Sequence, residues 1–221
     1  MDQMKLAVII PCHNEESTIG DVVDGFRKYL PDAEVYVADN ASTDETAIKA
    51  QQAGAKVLLE PRKGKGFAVT RLFADVDADY YLMVDGDNTY SPEAALEAIG
   101  VTQKSGVDLV LINRVGDSGK LESHRRGHDF GNRVLTGTFQ KLFKLQLQDT
   151  LTGYRLMSKR FVKSFPADPS GFEVETELNV HANLISASVA QVSGNYKSRP
   201  DGSVSKLGTY SDGYRILKRV L

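Results

Sequence analysis

The first half of this 221-residue sequence alternates between strand-like and helix-like segments, and this alternation constrains the fold more than any other feature. Short apolar runs typical of buried strands lie at residues 5–10, 34–39, 56–60, 80–84 and 108–113. Helical patterns separate them, one ending near Tyr29 and others at residues 47–53, 67–75 and 92–104. Strands and helices at this spacing form a parallel sheet with helices on its faces. The sequence therefore predicts one α/β domain with a mostly parallel sheet.

Local signals refine the first βα unit. Proline lacks an N–H group, so Pro11 is expected to end the first strand. Ser17 or Asn14 is suited to cap the helix that follows.

The alternation breaks after Asn113. The basic, polar stretch 114–129 is interpreted as a loop. Further segments are predicted at 130–145 (amphipathic helix), 159–164 (short helix), 171–185 (helix), 188–199 (strand) and 209–220 (amphipathic helix). The apolar stripe at 130–145 favours a helix facing the core, with membrane contact as the alternative. Glu173, Glu175 and Glu177 have a structural explanation, because negative charge stabilises a helix N-terminus.

Charge divides the chain into unlike halves. Residues 1–112 carry 10 Lys and Arg against 19 Asp and Glu, whereas residues 113–221 carry 17 against 10. The acidic half suits a metal ion, and the basic half suits a phosphate or an acidic membrane surface. No groove-reading motif accompanies the basic charge, so we expect no nucleic-acid partner.

The sequence Asp85-Gly86-Asp87 places two carboxylates directly after the fourth predicted strand. Like charges this close repel unless a cation lies between them, and a hard divalent cation with oxygen ligands would also bind phosphates. A solvated acidic turn is the alternative. Glu15 and Asp39 follow the first and second strands. Ligands of parallel sheets bind at the carboxyl ends of the strands, so all four acidic groups are predicted to line one crevice.

The Gly64-Lys65-Gly66 loop precedes a predicted helix, where backbone N–H groups and the lysine could bind a phosphate or a nucleotide edge. A solvated basic turn explains it equally well. The loop matches neither the Walker A nor the dinucleotide-binding pattern.

The chain has a single cysteine, Cys12, which excludes an intrachain disulfide and fits a reducing cytoplasm. No signal peptide is visible, and no apolar stretch approaches the roughly 20 residues that span a bilayer. We therefore expect a cytoplasmic protein, with peripheral contact to the inner face of the membrane as an option.

Several motifs in order resemble those of glycosyltransferase family 2, which has the GT-A fold. In the first half they are VIIPCHNEE, VADNASTDET, GKGFAV and DGD. In the second half HRRGHDFGN, QDTLTGYR, GFEVETEL and RPDGSVSKLGTYSDG look like the polyprenyl-phosphate hexosyltransferases related to dolichyl-phosphate mannose synthase. The resemblance implies a metal-dependent transferase that moves a hexose from a nucleotide sugar to a polyprenyl phosphate, as in cell-envelope glycan synthesis. It divides one domain into a nucleotide-sugar half (1–112) and an acceptor half (113–221).

The resemblance also implies roles for individual residues. The nucleotide-sugar site would comprise Pro11, Asn14, Glu15, Asp39, Lys65 and Asp85. Mg²⁺ or Mn²⁺ would be held by Asp85 and Asp87, although Thr89 stands where these relatives have a further glutamine ligand. The acceptor phosphate would meet Arg114, Arg125 or Arg126, Arg199, Ser203 and Lys206. Asp149 would lie beside the reacting centre.

The role of Asp149 depends on the acceptor. A phosphate acceptor is largely dianionic at neutral pH, so Asp149 would orient or stabilise the sugar; a hydroxyl acceptor would need Asp149 as a general base. Transfer to a sugar hydroxyl, a sugar nucleotidyltransferase and a non-catalytic nucleotide-sugar-binding module remain alternatives.

Overall fold

The computed structural model describes residues 4–115, 147–166 and 174–197. Its strands are β1 (Leu6–Cys12), β2 (Glu34–Asp39), β3 (Lys56–Leu59), β4 (Tyr80–Met83), β5 (Leu109–Val115), β6 (Arg155–Ser158) and β7 (Val189–Asn195). Its helices are α1 (Ile19–Tyr29), α2 (Thr46–Gln52), α3 (Lys65–Asp75), α4 (Ala94–Ser105), α5 (Lys159–Lys163) and α6 (Val174–Leu184). The order of elements in the first half is the predicted one.

The strands form one seven-stranded sheet in the order β3-β2-β1-β4-β6-β5-β7. The pairs β1–β2, β1–β4, β2–β3 and β5–β7 are parallel, whereas β6 is antiparallel to both β4 and β5. The predicted mostly parallel sheet is therefore confirmed. Strand β6 was not predicted, because it is only four residues long and begins with a charged residue, Arg155.

Helices cover both faces of the sheet, which explains why its central strands are apolar on both sides. Along β1, Val8 and Ile10 belong to the core cluster that includes Phe26 of α1. The alternating residue Ile9 belongs to the opposite cluster, with Leu72 of α3 and others. The sheet is thus a rigid platform whose carboxyl edge presents the loops that carry the acidic residues.

Two expectations for the first βα unit are wrong. Strand β1 continues through Pro11 to Cys12, because its pairing with β4 ends at Ile9 and leaves β1 unpaired on that side. The N-cap of α1 is Thr18, which makes no capping hydrogen bond through its side chain. Asn14 uses its side chain elsewhere, as described below.

Helix α3 begins at Lys65, earlier than predicted, because the Gly64 carbonyl already accepts hydrogen bonds from the N–H groups of Phe67 and Ala68. The predicted helices at 130–145 and 209–220 lie outside the described residues. Within the described ranges, no helix is long and apolar enough to cross a membrane.

Candidate active site

The loops after β1, β2 and β4 meet at the carboxyl edge of the sheet. Cys12 pairs in register with Asp39, and the Thr18 hydroxyl donates to the Gly86 carbonyl at 2.7 Å. Gly86 lies so close to β1 that a Cβ atom there would be 2.5 Å from the Cys12 sulfur and 3.6 Å from Glu15 Cγ. The structure therefore brings Glu15, Asp39 and the Asp85–Asp87 turn together.

Asn14 connects the first two loops. Its Oδ1 accepts from the Thr43 backbone N–H at 2.8 Å, and its own N–H donates to the Ser42 hydroxyl at 3.0 Å. The next residue, Glu15, donates its N–H to Thr46 Oγ1 at 2.8 Å. Pro11 is a buried residue of β1 that pairs with Ala38. Asn14 and Pro11 thus hold the loops in place, and any contact with a nucleotide is an additional role.

Asp39 is the last residue of β2. Its side chain is buried, with the residue 7% exposed, and Oδ1 has no hydrogen-bond partner within the described part of the chain. A buried acceptor without a partner is costly, and a bound water or ligand can supply the missing donor. Asp39 is therefore suited to accept an N–H donor from a nucleotide base.

The adjacent Asn40 fixes the loop after β3. Its Oδ1 accepts from the Gly64 N–H at 2.8 Å, and its Nδ2 donates to the Arg62 carbonyl at 2.5 Å. This residue positions the start of α3, and with it Lys65. No role in the site was assigned to Asn40 from the sequence.

Lys65 contacts two carboxylates. Its Nζ lies 2.5 Å from Asp85 Oδ1 and 2.5 Å from Glu175 Oε1 on α6. Burial alone would lower the pKa of Lys65, but the two carboxylates outweigh this effect and raise it. Lys65, predicted to bind the nucleotide, is thus an ion-pair partner of Asp85 in this structure, and Glu175 is a site residue that the sequence did not reveal.

Asp87 is held by its neighbour two residues on. It is 3% exposed, and its Oδ1 accepts from the Thr89 hydroxyl at 2.6 Å and from the Thr89 N–H at 3.2 Å. Because its hydroxyl donates to Asp87, Thr89 orients the carboxylate rather than adding a strong ligand of its own.

Asp85 and Asp87 fit a divalent metal of the kind that also binds phosphates. In residues 4–115, 147–166 and 174–197, no group of three or more His, Cys, Asp or Glu side chains could hold a metal alone. Mg²⁺ is commonly bound by one or two carboxylates plus substrate phosphates. The residues present therefore suit a metal that arrives with a nucleotide diphosphate.

Arg114 and Asp149 form a bidentate ion pair. Nε lies 2.7 Å from Oδ2, and Nη2 lies 2.8 Å from Oδ1. Burial of Asp149 favours a higher pKa, but the hydrogen bonds and charge of Arg114 outweigh it and hold the pKa of Asp149 below its usual range. The Arg114 guanidinium also lies over the Tyr196 ring, 5.6 Å from its centroid.

The turn after Asp149 links this ion pair to the acidic pair. Gly153 donates its N–H to the Tyr90 hydroxyl at 3.1 Å, and a Cβ atom at Gly153 would be 2.5 Å from Asp85 Oδ2. A side chain at this position would have to displace the Asp85 carboxylate. The Arg114–Asp149 pair and the Asp85–Asp87 pair thus belong to one site.

Arg155 stabilises the turn between Asp149 and Gly153 through hydrogen bonds to its backbone. It is fully buried and donates to the Thr152 carbonyl at 2.9 Å, the Thr150 carbonyl at 3.0 Å and Asn179 Oδ1 at 2.7 Å. Burial lowers the pKa of Arg155 to about 10, although nearby carboxylates oppose the shift. Sequence reasoning missed this residue as well. Its signal was an arginine directly between Tyr154 and the apolar residues Leu156 and Met157.

The remaining predicted acceptor residues, Arg125, Arg126, Arg199, Ser203 and Lys206, lie outside the described residues. Of the predicted acceptor-phosphate set, the structure therefore places only Arg114.

Comparisons with known proteins agree with this architecture. The family model described as Glycosyl transferase family 2 matches residues 7–165. Protein RfbJ of Shigella flexneri is 49% identical over 123 residues, which cover 56% of this chain and 95% of the relative. Glycosyltransferase AglJ of Haloferax volcanii is 32% identical over 209 residues, which cover 94% of this chain and 68% of the relative. A dolichol-phosphate mannosyltransferase of Pyrococcus furiosus is 26% identical over 185 residues, covering 79% of this chain and 52% of the relative.

A solved structure shares the fold. Glucosyl-3-phosphoglycerate synthase of Mycobacterium tuberculosis, in complex with Mn²⁺, UDP-glucose and phosphoglyceric acid, superposes with a TM-score of 0.76 at 25% identity. The match covers 98% of this chain and 80% of that one. The fold is therefore GT-A. Since the family model covers well over half of the sequence, the chain belongs to glycosyltransferase family 2.

Proposed function

We propose that this glycosyltransferase is a metal-dependent, inverting hexosyltransferase whose acceptor is a polyprenyl phosphate at the membrane surface. The donor is a UDP- or GDP-linked sugar. The observation that carries the proposal is the Arg114–Asp149 ion pair, placed next to Asp85 by the turn that ends at Gly153. Residues 1–112 form the donor half of the domain, and residues 113–221 form the acceptor half.

Donor binding belongs to the loops after β1, β2 and β4. The unsatisfied Oδ1 of Asp39 accepts an N–H of the base, and uracil and guanine both offer one, so Asp39 does not select the nucleotide. Asp85 and Asp87 would hold Mg²⁺ or Mn²⁺, which would neutralise the charge of the departing nucleotide diphosphate. Mn²⁺ and UDP-glucose in the mycobacterial synthase support this assignment, since that enzyme has the same fold.

The ionised form of Asp149, which Arg114 stabilises, favours a phosphate acceptor. A general base works best with a pKa near the working pH, but Arg114 holds the pKa of Asp149 below its usual range. A phosphate monoester has a second pKa of about 6, so it is already a dianion at neutral pH and needs no base. Asp149 then stabilises positive charge that develops on the sugar. Attack on the face opposite the leaving group inverts the anomeric carbon.

The relatives support two acceptor classes. The Pyrococcus relative is named for dolichol phosphate, which supports a lipid phosphate. The mycobacterial synthase was solved with phosphoglyceric acid, which supports transfer to a small hydroxyl-bearing acceptor as the second candidate. In the second case Asp149 must act as base despite its ion pair with Arg114.

Radiolabelled UDP- and GDP-hexoses, offered with a short polyprenyl phosphate or with soluble saccharides, test the proposal. We expect label in the organic phase only with the lipid phosphate and a divalent metal, and none in EDTA. Transfer only to hydroxyl acceptors would replace the proposal with the second candidate. Binding of a nucleotide sugar without any transfer would indicate the non-catalytic module.

A further inference from the structure

The Lys65 ammonium group lies beside the Asp85 carboxylate, where a metal ion is also proposed to bind. Its Nζ lies 2.5 Å from Asp85 Oδ1, one of the two proposed metal ligands, and 2.5 Å from Glu175 Oε1. The three side chains are largely shielded, with exposed fractions of 16%, 26% and 10% for Lys65, Asp85 and Glu175. Shielding from water strengthens the Coulomb attraction between the two charges of each pair, and salt screens that attraction only weakly.

A lone divalent ion therefore meets an unfavourable site. One of the two strand-end carboxylates is already paired with an ammonium group, and Asp87 accepts two hydrogen bonds from Thr89. The described ranges hold no third acidic, histidine or cysteine ligand close enough to complete a cluster. The ion must compete with a cation already bound to Asp85, or displace it, and still lacks ligands.

The second carboxylate changes the cost of that displacement. A lysine that served only to anchor α3 would need a single partner. Glu175 can keep Lys65 paired after its contact with Asp85 is lost, because it already lies at hydrogen-bond distance. A diphosphate would supply oxygen ligands for the metal. It would also supply negative charge that can pair with Lys65.

We propose that Lys65 is an internal cation that competes with the metal for Asp85, and that Glu175 retains Lys65 when the metal enters. The consequence is that metal and nucleotide diphosphate bind together, with each strongly dependent on the other. This inference rests on the proposed function, since it takes Asp85 as a metal ligand.

Mn²⁺ binding, followed by the electron paramagnetic resonance signal of the free ion, tests this directly. The unchanged protein should bind Mn²⁺ weakly alone and much more tightly with UDP or GDP. Lys65→Met should bind Mn²⁺ alone about tenfold more tightly, because a like charge has been removed at close range. The ratio of Mn²⁺ affinities with and without nucleotide should therefore be smaller in this variant than in the unchanged protein.

Glu175→Gln should have the opposite effect. With Glu175 neutral, Lys65 pairs with Asp85 alone, so Mn²⁺ binding without nucleotide should weaken several-fold. In the Lys65→Met background the same change should have no further effect. Lys56→Met is the matched control, because Lys56 forms an exposed pair with Glu34 at the sheet edge and its removal should leave Mn²⁺ binding unchanged. Thermal unfolding of each variant checks that it is folded.

The outcomes separate the inference from the function beneath it. Mn²⁺ binding that is unchanged or weaker in Lys65→Met, with the unchanged protein binding Mn²⁺ and nucleotide normally, overturns only the competition. An equal loss from Glu175→Gln in both backgrounds shows that Glu175 attracts the ion directly, which overturns its role in retaining Lys65. No Mn²⁺ binding by the unchanged protein with either nucleotide overturns the inference together with the proposed metal dependence.

Discussion

Arg114 forms a bidentate salt bridge with Asp149, in which Nε lies 2.7 Å from Oδ2 and Nη2 lies 2.8 Å from Oδ1. Asp149 is 3% exposed, so this charge pair lies in a shielded part of the site. Paired in this way, Asp149 stays ionised at every pH at which the enzyme is expected to work. The ionisation that we expect to control the rate near neutral pH is therefore that of the proposed acceptor phosphate.

The first prediction concerns this pH dependence. The value of kcat/KM for the lipid phosphate should fall as pH drops through about 6, where the phosphate dianion takes up a proton. A phosphonate acceptor, which has a higher second pKa, should move this fall to higher pH. Initial rates across pH 5–8 with both acceptors measure the shift. A fall that stays at the same pH for both acceptors would belong to the enzyme and contradict the prediction.

The Arg114–Asp149 pair also affects stability in acid. Because the pKa of folded Asp149 is depressed, the pair contributes stability above the unfolded pKa of about 3.9 and loses it as pH falls through the folded value. The contribution is thus fully present at neutral pH, and the pH dependence of catalysis near 6 should not coincide with unfolding. Circular dichroism over the same pH range checks this point.

Asp39→Ala tests the base contact. We expect the donor KM to rise about tenfold to a hundredfold, as a charge-assisted hydrogen bond contributes about 1.5–3 kcal/mol. The free energy of unfolding should not fall, because the N-cap of α2 is Glu45 and Asp39 Oδ1 has no partner among the described residues. Kinetics at saturating acceptor and urea unfolding measure the two effects.

Asp108→Ala is the control for this prediction. Asp108 accepts hydrogen bonds from the Ser188 N–H at 3.1 Å and from Arg160 at 2.7 Å, just before β5 begins and so at the other end of the strands. Its removal should lower stability and leave the donor KM unchanged. If Asp39→Ala behaves like this control, Asp39 is a structural residue.

The metal prediction concerns Asp87 and the residue that orients it. Asp87→Asn should abolish transfer and weaken nucleotide binding only when metal is present. Thr89→Val removes the hydroxyl that donates to Asp87 at 2.6 Å while keeping the shape, so metal-dependent nucleotide affinity should fall by about 1 kcal/mol. Calorimetry with UDP and GDP, with Mn²⁺ or EDTA, measures both. Full activity of the unchanged protein in EDTA would contradict the metal requirement.

These residues show what the sequence could and could not predict. Strands β1 to β5 were located because their apolar runs are buried on both faces, and Asp39, Asp85 and Asp87 follow from strand ends in a parallel sheet. The role of Glu175 was missed because its partner Lys65 is 110 positions away, and its place in the first turn of a helix already explained its charge. Strand β6 was missed because neighbours far apart in the chain, rather than its own four residues, determine its antiparallel pairing.

Arg155 leads to a prediction about positioning. Arg155→Met leaves the carbonyls of Thr150 and Thr152 with fewer donors, so the free energy of unfolding should fall by about 2–3 kcal/mol. At temperatures where the variant is folded, kcat should fall more than the donor KM rises, because the turn carries Asp149. Arg155→Lys should restore part of kcat.

Arg160→Met is the control, because it removes an exposed arginine that is paired with Asp108. It should lower the free energy of unfolding by less than about 1 kcal/mol. Loss of stability with unchanged kcat would make Arg155 purely structural.

The last prediction concerns the basic half of the chain, where we propose that Arg125 or Arg126 binds the acceptor phosphate while the amphipathic segments 130–145 and 209–220 lie on an anionic membrane surface. Positive charge beside apolar area suits a phosphate on a lipid tail, and each basic residue near an anionic surface contributes about 1 kcal/mol. Arg125→Glu with Arg126→Glu should therefore weaken co-sedimentation with anionic vesicles and cut transfer to a polyprenyl phosphate at least tenfold. Donor binding should be unchanged, because its residues lie in the other half.

A matched double variant separates this local effect from overall charge. Lys28→Glu with Lys104→Glu changes the net charge equally at two exposed positions in the donor half. It should leave both vesicle binding and transfer near the level of the unchanged protein. Raising the salt concentration should weaken vesicle binding of the unchanged protein, since the Debye length is only about 8 Å at physiological ionic strength. Normal glycosylation of the lipid phosphate by the Arg125 and Arg126 variant, or equal losses in both double variants, would refute the assigned acceptor contact.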